Sequence, residues 1–247
     1  MIEHIPLLIG AGLLAGAMNA VAGGGSFVTF PALVFAGLPP VIANTTSTVA
    51  LLPGTLASSW AYRDGMVGIG GLSLNTLVPI TLLGGLVGAL LLLFTPGHTF
   101  DAVIPWLLLL ATLVFAGGRE VVQALSGKVH IGKAPVLIVQ FLVAIYGGYF
   151  GGAVGLMMMA AWSLFDAADL KSMAPARTLL VSAANAMAVI CFVLAGAVRW
   201  PEMLAMLLSV IAGGYLGARG ARYLPPSVVR GAVLVLCASV TVYFFRR

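Results

Sequence analysis

Residues 19–31 read NAVAGGGSFVTFP and place three consecutive glycines and a serine inside a long apolar run. In the second half of the chain, another apolar run is interrupted by YGGYFGGAVG at 146–155. Small residues that pack membrane helices recur at spaced positions, so three adjacent glycines exceed what one packing face uses. Non-helical backbone at membrane depth occurs where it lines a cavity. The two segments predict broken helices that meet and form a path for an anion.

The composition predicts an integral membrane protein. The chain has 247 residues, of which 61% are hydrophobic and 8% charged, whereas soluble domains carry about 25% charged residues. Apolar stretches of roughly 20 residues recur, as spanning helices require. The alternation of a membrane barrel is absent. We expect an all-α, multi-pass helical bundle in a bacterial-type cytoplasmic membrane.

The net charge of +5 does not indicate a nucleic-acid partner, because most Lys and Arg residues lie at the ends of apolar runs and act as topology signals. We expect the partners to be a small anionic substrate and the lipid bilayer, and a homodimer is compatible with the sequence. Cys191 and Cys237 lie inside apolar runs and are interpreted as small buried hydrophobes. Zinc-protease, nucleotide-loop and catalytic-triad motifs are missing. We therefore expect no enzyme activity, cofactor or metal.

About eight apolar elements can be marked, separated mainly by short Pro/Gly connections. They span 5–35, 41–62, 71–94, 100–118, 135–165, 174–197, 201–221 and 226–245. A polar linker at 119–134 divides a first transmembrane repeat, 1–118, from a second, 135–247. The order of matching segments predicts two four-element repeats.

The alignment of the halves has a nearly constant offset. Gly16–Pro53 aligns with Gly148–Asn185, and GGLVGA at 84–89 aligns with GGYLGA at 213–218. Individual identities are weak, and their common order is the evidence for duplication. Two repeats that meet at a central site are a frequent plan of transporters.

The first element of each repeat is longer than one straight crossing of a hydrocarbon core of about 30 Å. Either it is a kinked, tilted helix or it is a re-entrant hairpin that enters and leaves on one side. Hairpins would place nine basic residues on one side: Arg63, Arg119, Lys128, Lys133, Lys171, Arg177, Arg219, Arg222 and Arg230. Only Arg199, Arg246 and Arg247 would lie opposite. This asymmetry favours hairpins, inverted repeats and termini outside the cell.

The first candidate site contains Asn19, the triplet Gly23, Gly24 and Gly25, and Ser26. A half-helix that starts near Ser26 would present its positive dipole end to an anion, and glycine lets backbone approach a ligand closely. The alternative is close helix packing. Packing is the favoured interpretation for the scattered glycines Gly84, Gly88, Gly213 and Gly217. In the second break, Gly152 and Gly155 are the corresponding candidates.

The polar run Asn44–Thr48 opens the second element, and its alternative interpretation is a helix N-cap. Five polar residues in succession exceed what one cap requires. We therefore expect Thr45, Thr46 and Ser47 to lie against the glycine breaks and to contact the substrate.

Arg177 is the sharpest single candidate, since it follows Pro175 at the start of an apolar helix and aligns with Thr45. Arginine can grip an oxyanion with two parallel hydrogen bonds; the alternative is an interfacial residue that helps to set topology. Thr178 is its polar neighbour. Asn185 lies about two turns further on roughly the same helix face, where interhelical hydrogen bonding is the alternative.

These motifs resemble the TauE/SafE family of membrane permeases, which includes sulfite exporters and sulfonate-related transporters. The resemblance covers nearly all of the chain. It rests on AGGGSF at 22–27 followed by Pro31, LPPVIA at 38–43, VSAANA at 181–186 and the two GG-x-x-GA segments. Where family members often repeat the glycine triplet, this chain has AVGLM at 153–157, which implies one asymmetric site.

The resemblance implies a secondary transporter of sulfite or an organosulfonate that exports its anion by alternating access. No Asp or Glu lies in the middle of an apolar element, so a carboxylate proton relay is not visible. Export needs none, because a negative-inside potential drives anions outward. Uptake of an organosulfonate and a channel-like pore for small anions are the alternatives.

Overall fold

The computed structural model describes residues 4–21, 24–125, 132–162, 170–220 and 226–246, with side chains described except at 20–21, 118–125, 170–172, 217–220 and 226–230. These residues form ten α-helices and no β-strand, which confirms the all-α class. The helices are α1 (Ile5–Val21), α2 (Ser26–Phe35), α3 (Pro40–Ala61), α4 (Leu74–Phe94), α5 (Gly97–Leu125), α6 (Lys133–Tyr149), α7 (Val154–Trp162), α8 (Leu170–Leu194), α9 (Trp200–Gly220) and α10 (Pro226–Arg246).

Each of the two long first elements consists of two helices, so ten helices stand where eight elements were expected. α1 ends at Val21 and α2 begins at Ser26, with Gly24 at a φ of +114°. α6 ends at Tyr149 and α7 begins at Val154, with Gly151 at +74° and Ala153 at +56°. Left-handed backbone of this kind ends a helix and favours glycine. Both helix breaks therefore coincide with the glycine-rich segments.

The first helix of each half packs against the third element of the other half, α1 on α9 and α6 on α4. A Cβ added at Gly16 would collide with the carbonyl oxygen of Val210, and one added at Gly148 would collide with that of Gly85. The packing role predicted for three scattered glycines is confirmed: Gly84, Gly88 and Gly213. The surroundings of Gly217 lie outside the described residues.

The helix directions show that each broken element folds back on itself. α1 runs parallel to α9, since Gly12 lies beside Ser209 and Gly16 beside Gly214. The turn after α2 shares a cavity with Arg199, directly before α9, so α2 returns to the end where α1 begins. In α7, Trp162 Nε1 donates to Gln140 Oε1 of α6 at 2.9 Å, which places α7 antiparallel to α6.

α3 and α8 lie antiparallel between the two hairpins. At one end, the Thr45 hydroxyl donates to the carbonyl of Ala197, just beyond α8. At the other end, Gly65 lies beside Pro175, near the start of α8. Arg63 follows the C-terminal end of α3 and Arg199 adjoins its N-terminal end, so the two arginines lie at opposite ends of the bundle.

The outer surface is apolar. Within the part of the chain that the structure describes, three helical stretches are long and apolar enough to cross a membrane: Leu74–Phe94, Gly97–Gly117 and Met173–Leu194. Phe94 and Leu194 are each 82% exposed and Trp60 is 71% exposed, a surface suited to lipid rather than water. The expected linker at 119–134 is helical at its start, because α5 continues to Leu125.

Candidate functional site

A cavity of about 110 Å³ lies where the two helix breaks meet α3 and α8. Its described lining comes from the α1–α2 junction, the C-terminal half of α3, the α6–α7 junction and the N-terminal half of α8. The lining residues are Asn19, Gly24, Gly25, Ser26, Leu51, Thr55, Ser58, Gly151, Ala153, Val154, Gly155, Leu156, Arg177, Thr178, Val181 and Asn185. Both glycine-rich breaks therefore face one space.

Two helix N-termini lie at this cavity. In α2, Phe27 N donates to Gly24 O and Val28 N donates to Gly25 O, both at 3.0 Å, so the helix starts at the glycines. In α7, Leu156 N donates to Ala153 O at 2.9 Å. The first N–H groups of a helix lack intrahelical acceptors and carry the positive end of the helix dipole. The cavity is therefore bordered by two partial positive charges.

Gly25 is the tightest point of the first break. A Cβ added there would lie 2.9 Å from the carbonyl oxygen of Ala15, 3.2 Å from Leu51 Cδ2 and 3.4 Å from Asn19 Cβ. Only glycine permits the start of α2 to approach α1 and α3 this closely. This approach brings the α2 N-terminus into the cavity wall.

Arg177 supplies a full positive charge. Its side chain crosses Gly155, where an added Cβ would lie 3.2 Å from Arg177 Cδ, and its Nη1 lies 3.5 Å from Met159 Sδ. Among the described residues, the ion pairs are Arg63–Asp64 and Arg199–Glu202, so no described carboxylate pairs with Arg177. A half-buried guanidinium with no carboxylate partner among these residues is suited to bind an anion.

Asn185 adds an amide to the deeper wall of the cavity. The residue is 7% exposed, and its Oδ1 has no hydrogen-bond partner among the described residues. Buried polar atoms are normally hydrogen-bonded, so an exception calls for a ligand or a bound water. Asn19, from the end of α1, lines the same cavity.

Eight of the thirteen predicted site residues line this cavity: Asn19, Gly24, Gly25, Ser26, Gly155, Arg177, Thr178 and Asn185. Gly23 lies outside the described residues. Gly152 is buried behind the break, where an added Cβ would lie 2.6 Å from Phe150 Cε1.

Thr45, Thr46 and Ser47 do not line the cavity, so the expected contact with the substrate is not seen. They lie in the N-terminal half of α3, whereas the cavity adjoins Leu51, Thr55 and Ser58. Their expected approach to the glycine breaks is indirect: Ser47 bonds to Thr29, whose hydroxyl also donates to Gly25 O.

The polar run instead forms a hydrogen-bonded layer, defined here as Thr29 and Asn44–Ser47. Asn44 Nδ2 donates to Tyr149 O at 2.9 Å, and Arg199 N donates to Thr46 Oγ1 at 3.1 Å. The hydroxyls of Thr29 and Ser47 are 2.6 Å apart. With the bond from Thr45 to Ala197, this polar layer ties the start of α3 to α2, to the end of α6 and to the α8–α9 turn.

Sequence reasoning missed two polar side chains of the cavity, Thr55 and Ser58. With Leu51 they follow the helical spacing i, i+4 and i+7, which places them on one face of α3. That periodicity within an otherwise apolar stretch was the signal that could have found them.

The comparisons with known proteins agree with one another. The family model described as "Sulfite exporter TauE/SafE" matches residues 8–244. "Probable membrane transporter protein YfcA" of Escherichia coli (strain K12) is 26% identical over 238 residues, covering 94% of this chain and 88% of that protein. "Probable membrane transporter protein ORF9" of Sinorhizobium sp is 30% identical over 240 residues, covering 91% and 88%.

A "Probable membrane transporter protein" of Haemophilus influenzae is 26% identical over 246 residues, covering 97% of this chain and 94% of the relative. No solved structure matches the chain significantly. The family and its apolar helices make this an integral membrane protein and a membrane transporter. The chain belongs to the TauE/SafE family.

Proposed function

We propose that the protein is a secondary transporter of a small sulfur-containing anion, sulfite or an organosulfonate, and that it exports the anion across the cytoplasmic membrane by alternating access. The observation that carries the proposal is the cavity in which the Arg177 guanidinium and the N-termini of α2 and α7 come together. Its lining includes Asn19, Ser26, Thr178 and Asn185 as further contacts.

The electrostatics of the cavity favour an anion. Arg177 lies within Met173–Leu194, a helical stretch able to span the membrane. It lies in the first turns of that stretch and is half-buried, so its charge is partly removed from water at a cost in free energy. A bound anion offsets this cost, and the two helix dipoles add to the attraction. A cation or a neutral solute would gain neither interaction.

Inverted repeats are the arrangement that we propose for the two halves, with each hairpin re-entrant. The contacts that support it occur at aligned positions: Gly16 lies against Gly214, and Gly148 lies against Gly85. Each pair joins the first helix of one half to the third element of the other. Two repeats that pack against each other in this way can rock around a central site.

The orientation follows from the basic residues. Arg63 and Lys133 lie at the end of the bundle nearer Arg177, and Arg199 and Arg246 lie at the opposite end. The positive-inside rule then puts the Arg63 end in the cytoplasm. We expect the anion to enter the cavity from this side. The lining residues nearest the Arg63 turn, Ser58 and Arg177, are only half-buried.

The polar layer acts as the closed outer gate in this arrangement. Its hydrogen bonds to Ala197 and Arg199 join α3 to the α8–α9 turn at the end opposite the cytoplasmic entrance, and its bond to Tyr149 joins α3 to the second helix break. Opening of the gate would separate α3 from Ala197 and Arg199 while the cytoplasmic entrance closes. The glycine breaks at Gly24 and Gly151 would serve as hinges.

Export follows from the membrane potential. Each negative charge that leaves a negative-inside cell gains about 2.3 kcal/mol per 100 mV. A uniporter for an anion therefore moves its substrate outward without a coupling ion.

Flux into proteoliposomes under an imposed potential tests the proposal, with sulfite, sulfoacetate, taurine and sulfate compared. We expect saturable flux of a sulfur oxyanion that increases when the destination compartment is made positive and that shows counter-transport. Non-saturable flux without counter-transport would indicate a pore instead. Absence of flux for every anion would overturn the proposed function.

A further inference from the structure

We propose that the cavity is selective for a singly charged oxyanion that also carries its own hydrogen-bond donor, an O–H or an N–H group. This inference rests on the proposed function and narrows its substrate class. It comes from three hydroxyl groups that line the cavity together with Arg177 and that offer a ligand acceptors, which an anion without a hydrogen-bond donor would leave unused.

Three hydroxyls of the cavity have already used their only hydrogen. Thr55 Oγ1 donates to Leu52 O, Ser58 Oγ donates to Gly54 O, and Thr178 Oγ1 donates to Pro175 O, each at 2.9 Å. A hydroxyl has one hydrogen and two lone pairs. What these side chains still offer a ligand is therefore acceptor capacity.

The charge of the cavity sets the charge of the ligand. Arg177 is the one charged side chain among the described lining residues, and the helix N-termini contribute only partial charges. A dianion would place its second charge against the hydroxyl oxygens of Thr55, Ser58 and Thr178. A monoanion with a donor satisfies both sides of the cavity.

Two sources share this chemistry: a protonated oxyanion such as hydrogen sulfite, and a sulfonate with a hydroxyl group on its tail. Hydroxyethanesulfonate and ethanesulfonate form a matched pair, because they have the same charge and differ by one hydroxyl. For the protonated oxyanion, sulfite is compared at alkaline and mildly acidic pH, with methanesulfonate as the control whose charge does not change. Arg177 stays charged over this range, so pH acts on the ligand.

The measured quantity is the ratio of kcat/KM for the two members of each pair in proteoliposomes. We expect a preference of about five-fold for hydroxyethanesulfonate, for hydrogen sulfite, or for both, since one neutral hydrogen bond is involved. The double variant Thr55→Val, Ser58→Ala should lower the ratio toward one, because it removes two of the three hydroxyl acceptors. Ser59→Ala is the matched control, since Ser59 is buried in the same helix outside the cavity lining.

A wild-type ratio of one for both pairs would overturn the inference. If sulfonate flux is still measured in that case, the proposed function stands. A preference of unchanged size in the folded double variant would also overturn the inference. If that variant does not fold, the wild-type ratios decide alone. Absence of flux for every anion would overturn the proposed function and this inference with it.

Discussion

Gly155 packs directly against the aliphatic stem of Arg177: a Cβ added at Gly155 would lie 3.2 Å from Arg177 Cδ and 3.4 Å from Arg177 Cγ. Gly155, in the first turn of α7, thus leaves room for the side chain of Arg177, which lines the same cavity as the first break. The two predicted features, a glycine break and an arginine, form one unit of the cavity wall.

The first prediction tests this unit. Gly155→Val should lower the apparent affinity for the anion about ten-fold, because the branched side chain displaces Arg177 from the position where it can make charged hydrogen bonds. Gly155→Ala should have a smaller effect. The concentration dependence of flux measures both. Gly231→Val is the control, since nothing lies within 4 Å of a Cβ at that exposed site in α10; equal effects at both positions would contradict the prediction.

The second prediction concerns the hinge before α2. Gly24→Leu should abolish transport and leave membrane insertion intact, because a φ of +114° is strained for any side chain by about 1–3 kcal/mol and the site borders the cavity. Flux and the amount of inserted protein are measured together. Gly37→Leu is matched to it, since Gly37 has a φ of +91° and open space, at the turn after α2. Retained transport in Gly24→Leu would reduce the triplet to a packing feature.

The third prediction concerns the outer gate. Thr46→Val removes the acceptor for Arg199 N, which should shift the equilibrium toward the outward-open state by about five-fold. A cysteine at Ser26 in the cavity reports this shift as faster modification by an impermeant reagent added outside. Thr99→Val is the control, since Thr99 is exposed at the start of α5. An unchanged modification rate in Thr46→Val would show that the layer is not a gate.

The fourth prediction concerns topology. A cysteine in place of Arg246 should react with an impermeant reagent from outside the cell, and one in place of Arg63 should react only after permeabilisation. The reason is that re-entrant hairpins leave Arg63 and Arg246 on opposite sides, with the basic majority inside. Protection of the Arg246 position in intact cells would favour full crossings instead.

The two helix breaks are the part of the fold that the sequence predicted best. The triplet at 23–25 and the cluster at 146–155 predicted both interruptions, because adjacent glycines exceed the needs of helix packing. The cavity residues Arg177, Thr178 and Asn185 followed from one face of α8. These inferences depend on local spacing, which the chain carries without knowledge of its tertiary contacts.

The positions of Thr45, Thr46 and Ser47 could not be predicted in the same way. Which end of α3 faces the cavity depends on whether α1–α2 returns to its starting side, and that is a tertiary property. The same ambiguity concealed Thr55 and Ser58, whose hydroxyls bond to their own helix and resemble ordinary polar residues near a helix end. A polar run at a helix start can hydrogen-bond to neighbouring helices as well as to a ligand.

The proposed function depends above all on binding of the anion by Arg177. The apparent dissociation constant of sulfite is measured for purified wild type, Arg177→Lys and Arg177→Ala, with thermal unfolding as the check on folding. We expect Arg177→Ala to weaken binding about ten-fold or more, as the loss of a charged hydrogen bond requires. Arg177→Lys should be intermediate, because it keeps the charge without the bidentate geometry. Unchanged sulfite binding by folded Arg177→Ala would show that Arg177 does not bind the anion.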